Sequence, residues 1–162
     1  MTFDFICAIR TIMIYLWSVF VILFDQLSKI NVLDQCVEHE IVKVCPFFNL
    51  FLTFNKGVSF SMLTSDSPYA PAALSAFALL VAGLLIYWIQ KEKNRGARLG
   101  LALILGGAIG NVIDRIRFGA VVDFLDFYVG EYHWPAFNIA DSAICIGVAI
   151  LLIASFKKGE KK

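Results

Sequence analysis

Four long apolar runs constrain the fold of this chain more than any other feature. They cover residues 11–24, 71–89, 99–113 and 142–156, and none contains Asp, Glu, Lys or Arg. Hydrophobic residues make up 59% of the chain and charged residues 17%, unlike the composition of an ordinary soluble domain. The sequence therefore predicts four transmembrane helices in one membrane-embedded domain, residues 1–162, with spans at about 8–28, 70–90, 97–115 and 138–157.

Three of the runs are bounded at one end by an aspartate. A helix needs roughly 20 residues to cross a hydrocarbon core of about 30 Å, and only the run 71–89 approaches that length. The other three must therefore include their boundary residues, which are Asp25, Asp114 and Asp141. Since an ionisable side chain inside a span costs about 2.5 to 3.5 kcal/mol on insertion scales, we expect these aspartates to be functional.

The distribution of basic residues predicts the orientation. Lysines and arginines favour the cytoplasmic side of a membrane. They crowd the link between the second and third runs, the C-terminal tail and the segment before the first run: Lys91, Lys93, Arg95, Arg98, Lys157, Lys158, Lys161, Lys162 and Arg10. Both termini and that link are thus predicted to be cytoplasmic, which places the three boundary aspartates together near the outer face.

The outer segments have their own patterns. The phenylalanine-rich stretch 47–54 predicts short strands on the bilayer surface, and residues 117–136 form a second outer loop with an aromatic run. The expected fold is therefore an all-α membrane protein of four transmembrane helices with a small outer β-sheet and a second outer loop. The first run is expected to remain uncleaved, because no small-residue cleavage pattern follows it.

Cysteine, histidine and net charge indicate little. Cys36 and Cys45 flank a polar stretch, and whether they form a disulfide stays open. His39 and His133 stand far apart and match no metal-ligand spacing, so we expect no metal and no cofactor. A net charge of +1 gives no indication of a nucleic-acid partner.

Two pairs of polar residues have helical spacing. Asp25 and Lys29 share a helix face, either as an anchoring ion pair at the membrane interface or as organisers of a site. Asn138 and Asp141 lie one turn apart at the start of the fourth run. Capping of this helix would explain Asn138 but not Asp141.

The third run combines small residues with a polar end. Its small residues favour close helix packing in lipid and are Ala102, Gly106, Gly107 and Gly110. Asn111, Asp114 and Arg115 follow directly. A buried Asp114–Arg115 ion pair is the structural alternative to a functional role.

Several carboxylates at one membrane face indicate proton chemistry. Asp123 lies between apolar residues of the second outer loop, which favours an inward-facing side chain. Two aspartates about 3 Å apart share one proton, and such a pair activates water for peptide hydrolysis. A proton-coupled transporter and a scaffold with polar helix contacts remain alternatives, although a proton relay would be distributed across the membrane depth.

Five blocks of the sequence resemble the signature blocks of the lipoprotein signal peptidases (signal peptidase II), in order and across nearly the whole chain. They are Asp25-Gln26-Leu27-Ser28-Lys29, Asn55-Lys56-Gly57-Val58-Ser59-Phe60, Gly106-Gly107 through Gly110-Asn111 to Asp114-Arg115, Val121-Val122-Asp123-Phe124, and Phe137-Asn138-Ile139-Ala140-Asp141. The resemblance implies an aspartyl endopeptidase that cuts prolipoproteins on the amino side of a diacylglyceryl-modified cysteine.

The resemblance also implies roles for single residues. Asp123 and Asp141 would be the catalytic pair, with Asp114 as the main rival. The residues implied to line or brace the pocket are Asp25, Lys29, Asn55, Gly57, Asn111, Asp114, Arg115, Asn138 and Ala140. Among these, Arg115 is expected to hold Asp114.

The implied partners are lipidic and peptidic. The resemblance indicates diacylglyceryl-modified prolipoproteins as substrates, membrane lipids as surroundings and globomycin-type cyclic peptides as inhibitors. It places a multi-pass protein in the bacterial cytoplasmic (inner) membrane with its active site near the outer face. A monomer is expected, because one chain carries all the pocket residues.

Overall fold

A computed structural model describes the backbone of residues 2–57 and 69–159 and the side chains of residues 12–57 and 69–156. Within these ranges, four helices are long and apolar enough to cross a membrane. The helices are α1 (Thr2–Gln35), α2 (Ala70–Lys91), α3 (Arg95–Phe118) and α4 (Ile139–Gly159). Each contains one of the apolar runs, and α1 continues beyond residue 28, the expected end of the first span.

Local signals explain where the helices begin and end. A proline stands in the first turn of α2, where its missing N–H removes no helical hydrogen bond. The side chain of Asn94 accepts a hydrogen bond from the Ala97 N–H at 3.1 Å and caps the start of α3. Gly119 ends α3 in the left-handed conformation, at φ 72°, which a residue with a side chain rarely adopts.

Helix α3 is the centre of the bundle, and α1, α2 and α4 pack around it. Its residues Leu101 and Ala102 are fully buried. A Cβ atom at Gly106 would lie 2.8 Å from the Ser18 carbonyl oxygen, so α1 approaches closely because this side chain is absent. Many large apolar side chains of the other helices point outward, among them Leu16, Phe20, Leu80, Leu84 and Ile153. This surface suits lipid.

A four-stranded antiparallel sheet covers one end of the bundle, in the order β1-β2-β3-β4. The strands are β1 (Ile41–Cys45), β2 (Phe48–Asn55), β3 (Val121–Val129) and β4 (Tyr132–His133). Val122 and Phe124 of β3 pack with Leu52 of β2 against Val32 near the end of α1. The start of β3 is thereby held against the bundle.

The predicted fold class is confirmed: the described part of the chain has four helices able to span a membrane and a small sheet. The sheet is larger than the sequence indicated, because β3 and β4 come from the second outer loop and pair with β2. Cys36 and Cys45 are free thiols. The last residues of the second signature block, Val58-Ser59-Phe60, lie outside the described residues.

Candidate active site

The residues implied by the sequence meet at one end of the bundle, where α1 and α3 reach the first turn of α4 and the start of β3. Hydrogen bonds and ion pairs join them into one network, which consists of Asp25, Lys29, Asn55, Gly57, Asn111, Asp114, Arg115, Asp123, Asn138, Ala140 and Asp141. The three boundary aspartates lie together, as their positions predicted.

Lys29 is the cation at the centre of this network. Its side chain is fully buried, and its Nζ lies 2.7 Å from Asp25 Oδ2 and 2.6 Å from Asp114 Oδ2. It also donates to Asn111 Oδ1 at 3.2 Å. The predicted contact between Asp25 and Lys29 is confirmed, and Lys29 reaches a second helix as well.

Asn138 connects the two aspartates implied to be catalytic. Its side-chain Nδ2 donates to Asp123 Oδ1 at 2.7 Å, and its backbone N–H donates to Asp141 Oδ2 at 3.4 Å. The Asp141 backbone N–H in turn donates to Asn138 Oδ1 at 2.9 Å. Asn138 is therefore both the cap of α4 and the residue that joins β3 to α4.

Two further amides bind the second oxygen of each carboxylate, those of Asp123 and Asp141. Asn55 Nδ2 donates to Asp123 Oδ2 at 3.0 Å. Asn111 Nδ2 donates to Asp141 Oδ1 at 2.9 Å. Since Asn111 Oδ1 accepts hydrogen bonds from Lys29 and Asn138, its amide group can present only its NH₂ to Asp141.

Burial sets the protonation of Asp123. The residue is 2% exposed, and this burial raises its pKa, as does the negative charge of Asp141, to about 7. Hydrogen bonds from Asn55 and Asn138 and the charge of Lys29 oppose this rise. A carboxyl group with such a pKa can hold or release a proton near neutral pH.

Asp114 has different partners from those expected. The sequence indicated Arg115 as its counter-ion, but Lys29 makes that ion pair, and Gln26 Nε2 donates to Asp114 Oδ1 at 2.8 Å. Arg115 instead donates to the carbonyl oxygen of Gly57 at 3.0 Å. The reason is that Asp114 faces α1 across the bundle, whereas the next residue on α3 faces the loop after β2.

Two glycines of α3 make room for the network. A Cβ atom at Gly107 would collide with the carbonyl oxygen of Ala140, and one at Gly110 would lie 2.8 Å from Asp25 Oδ2. The first contact is with the residue directly before Asp141, and the second is with the carboxylate that accepts from the Ala140 backbone N–H. The small face predicted for this helix therefore serves the site as well as the packing.

An open cleft borders Asp123. Its volume is about 370 Å³, and it runs between β2 and the segment before α4; its lining residues are Phe51, Thr53, Phe54, Asn55, Lys56, Asp123, Pro135 and Ala136. A larger aromatic cavity of about 740 Å³ lies at the far end of the sheet and contains none of the network residues. Of these two, the smaller cleft is the one lined by Asp123.

The sequence reasoning missed some contacts. It gave no role to Gln26, although this residue lies in the first signature block. It also missed the contact between buried Asp126 and exposed His133, in which His133 Nδ1 lies 2.8 Å from Asp126 Oδ1, with Asn49 donating to Asp126. No sequence spacing indicates either contact, because the Gln26 contact joins α1 to α3 and the Asp126 contacts depend on the register of the sheet. Among the described residues, His, Cys, Asp and Glu form no cluster suited to a metal ion.

Comparison with protein families gives a match over most of the chain. The family model described as "Signal peptidase (SPase) II" matches residues 17–157. The lipoprotein signal peptidase of Alteromonas mediterranea is 44% identical over 151 residues, which cover 91% of this chain and 83% of the relative. That of Paraburkholderia phymatum is 46% identical over 142 residues, covering 87% and 86%.

Two solved structures are similar to this chain, and both are titled as a bacterial membrane enzyme. The one at 2.3 Å resolution has a TM-score of 0.83 and 31% identity, covering 93% of this chain and 91% of the other. The one at 1.9 Å resolution has a TM-score of 0.78 and 32% identity, covering 90% and 93%.

Proposed function

The chain belongs to the signal peptidase II family, and on that premise we propose that it removes the signal peptide from diacylglyceryl-modified prolipoproteins. It is a multi-pass bacterial membrane protease. The proposed catalytic pair is Asp123 and Asp141. The observation that carries this proposal is that Asn138 donates a hydrogen bond to each carboxylate. Its side-chain Nδ2 donates to Asp123, and its backbone N–H donates to Asp141.

The proposed reaction uses one proton shared by the pair. Burial, and then the charge of Asp141, raise the Asp123 pKa to about 7, so Asp123 can hold the shared proton near neutral pH. Asp141 lies in the first turn of α4, where the helix dipole favours a negative charge. Asp141 then removes a proton from water, and Asp123 donates its own to the oxygen of the scissile carbonyl.

The cleft beside Asp123 accommodates the peptide. It opens between β2 and the segment before α4, so an extended chain can enter it from the sheet side. Asn55 lines this cleft and holds Asp123, which makes its amide a suitable partner for the substrate backbone. Arg115 and Gly57 brace the start of the loop that follows β2.

Lipid recognition follows from the position of the site at the end of the bundle. The acyl chains of the modified cysteine would lie against the apolar outer faces of the helices, at roughly 0.8 kcal/mol per buried methylene. Binding energy from the lipid then places the bond beside the aspartates, on the amino side of the cysteine. Because binding of the lipid positions the scissile bond, the lipid modification would precede cleavage.

We place the protein in the inner membrane with both termini cytoplasmic and the site at the outer face, on the basis of its basic residues. A single chain supplies every residue of the network, which supports a monomer. Cyclic peptides of the globomycin type would bind at the aspartates as uncleaved peptides. The grouping of all network carboxylates at one end of the bundle argues against a transmembrane proton relay.

A gel-shift assay with a diacylglyceryl-modified prolipoprotein tests the function. The purified parent in detergent should cleave the lipidated substrate and spare the unlipidated one. Asp123→Asn and Asp141→Asn should each lose cleavage by about 10⁴-fold or more while keeping the fold, since neither pair member alone can both give and take a proton. Asp34→Asn, on an exposed position of α1, is the matched control and should cleave like the parent.

Two results would change this proposal. Full cleavage by Asp123→Asn, together with a dead Asp114→Asn variant, would replace Asp123 by Asp114 in the pair while the protease remains. No cleavage of verified lipidated substrate by the folded parent would reject the peptidase function.

A further inference from the structure

Asp25, Lys29 and Asp114 form a buried charged triad beside the proposed catalytic pair. We propose that this triad, centred on Lys29, is a clamp that sets the separation of the Asp123 and Asp141 carboxylates, with Lys29 as a positioning residue. This inference rests on the proposed function and assigns to Lys29 a task beyond pairing with its helix neighbour.

One arm of the clamp reaches Asp141. The Ala140 backbone N–H, directly before Asp141, donates to Asp25 Oδ1 at 2.9 Å. Ala140 is fully buried, and Asp25 can approach it because Gly110 has no side chain in the way. Asp25 on α1 therefore fixes the first turn of α4 at the residue next to Asp141.

The other arm reaches Asp123 in the same way. The Val122 backbone N–H, directly before Asp123, donates to Asp114 Oδ2 at 3.1 Å. Val122 is fully buried, and its carbonyl oxygen accepts a hydrogen bond from Asn138 Nδ2 at 3.2 Å. Asp114 on α3 therefore fixes the start of β3 at the residue next to Asp123.

Lys29 joins the two arms. Its Nζ lies within 2.7 Å of both triad carboxylates, and its remaining contact is with Asn111 Oδ1 at 3.2 Å. Because an ammonium group only donates, it forces Asn111 to direct its NH₂ group to Asp141. Lys29 Nζ thus fixes the two carboxylates that accept from the Ala140 and Val122 backbone N–H groups. It also fixes the Asn111 amide that orients Asp141.

The chemistry of the triad favours positioning over stability. A buried ion cluster is costly to form, and apolar side chains of similar size often stabilise a fold as well or better. Asp25 needs both oxygens, one for Ala140 and one for Lys29, so an asparagine would lose one contact. Asp114 uses Oδ2 for both Lys29 and Val122 and Oδ1 for Gln26, so both oxygens of each acid have partners, which suits a device that fixes distances.

Steady-state kinetics on the lipidated prolipoprotein, measured across pH together with thermal melting, test the clamp. Lys29→Arg keeps the charge but spreads its donors over a planar group, so the two arms can no longer meet at one atom. We expect its maximal kcat to fall by about a hundredfold at every pH, with KM changed by less than about threefold. Lys29→Met should lose at least as much, and Lys43→Met, at an exposed position of β1, should match the parent.

Three outcomes would overturn the clamp. In the first, Lys29→Met keeps the maximal kcat of the parent and only its pH profile moves, so that Lys29 acts by charge alone. In the second, KM rises while kcat stays, which indicates substrate binding. In the third, Lys29→Arg equals the parent in kcat; this variant decides the question if Lys29→Met does not fold. A parent that fails to cleave would overturn the proposed function itself, whereas an active parent with an unimpaired Lys29→Arg overturns the clamp alone.

Discussion

At the scale of single residues, the burial of Asp123 couples folding to pH. Its pKa is raised from 3.8 to about 7, chiefly by burial and then by Asp141. The folded state thus binds this proton more tightly than the unfolded state. The resulting stabilisation is fully present below pH 3.8 and is lost as the pH rises through about 7, at about 1.4 kcal/mol per unit of pKa.

Asp123→Asn removes this titration. Relative to the parent, the variant should therefore gain stability between about pH 4 and about pH 8, by up to a few kcal/mol. The measurement is the difference in melting temperature between variant and parent in detergent at both pH values. Asp34→Asn, at an exposed position of α1, is the matched control. A constant difference for Asp123→Asn would mean that Asp123 titrates like an exposed aspartate.

The sequence indicated which residues gather at the candidate site, but only some of their contacts. The spacing of Asp25 and Lys29 gave their contact, because a helix brings residues four apart together. The ion pair of Lys29 with Asp114 joins α1 to α3 and leaves no periodic signal. The expected pairing of Arg115 with Asp114 was wrong for this reason: adjacent residues on a helix point in different directions.

At the scale of elements, Gly107 allows α3 and α4 to approach. A Cβ atom there would collide with the Ala140 carbonyl oxygen, whereas one at Gly83 of α2 would meet no atom within 4 Å. Gly107→Ala should therefore force the helices apart and destabilise the protein by about 1 to 3 kcal/mol. Gly83→Ala should be neutral or stabilising by up to about 1 kcal/mol.

Melting temperature and cleavage rate together check this prediction. Gly107→Ala should also lower kcat, because Ala140 directly precedes Asp141. Comparing Gly107→Ala with Gly83→Ala separates the general effect of alanine on helix stability from the effect of the collision with Ala140. Equal melting temperatures for the two variants would show that α4 shifts without cost and that the close approach is not required.

The helices are easier to predict from the sequence than the strands. The helices follow from the apolar runs, since a backbone in lipid must satisfy its own hydrogen bonds. Strand β2 was indicated by its phenylalanines, but β3 was not, because its inward residues include Asp123 and Asp126 among the apolar ones. Burial of these acids depends on Asn55, Asn138 and Asn49, which come from other parts of the chain.

At the scale of the whole molecule, charge is divided between the two ends of the bundle. Lys91 at the end of α2, Lys93 in the link and Arg95 at the start of α3 form one basic end, while the proposed catalytic network lies at the opposite end of α3. Helix α3 rises by roughly 1.5 Å per residue, so its segment from Arg95 to Asp114 nearly spans a hydrocarbon core. The positive-inside rule then predicts the basic link in the cytoplasm and the aspartates at the outer face.

Phosphatase fusions test this orientation in a bacterial host, because the reporter folds only outside the cytoplasm. A fusion after Lys93 should be inactive and one after Gly130 active, since α3 lies between the two sites. A cytoplasmic fluorescent reporter at the same two positions should give the reverse pattern. If only the fusion after Lys93 had phosphatase activity, the orientation would be the reverse of the predicted one. A proteolytic site facing the cytoplasm could not act on an exported, lipid-modified substrate, so the proposed function and the orientation stand or fall together.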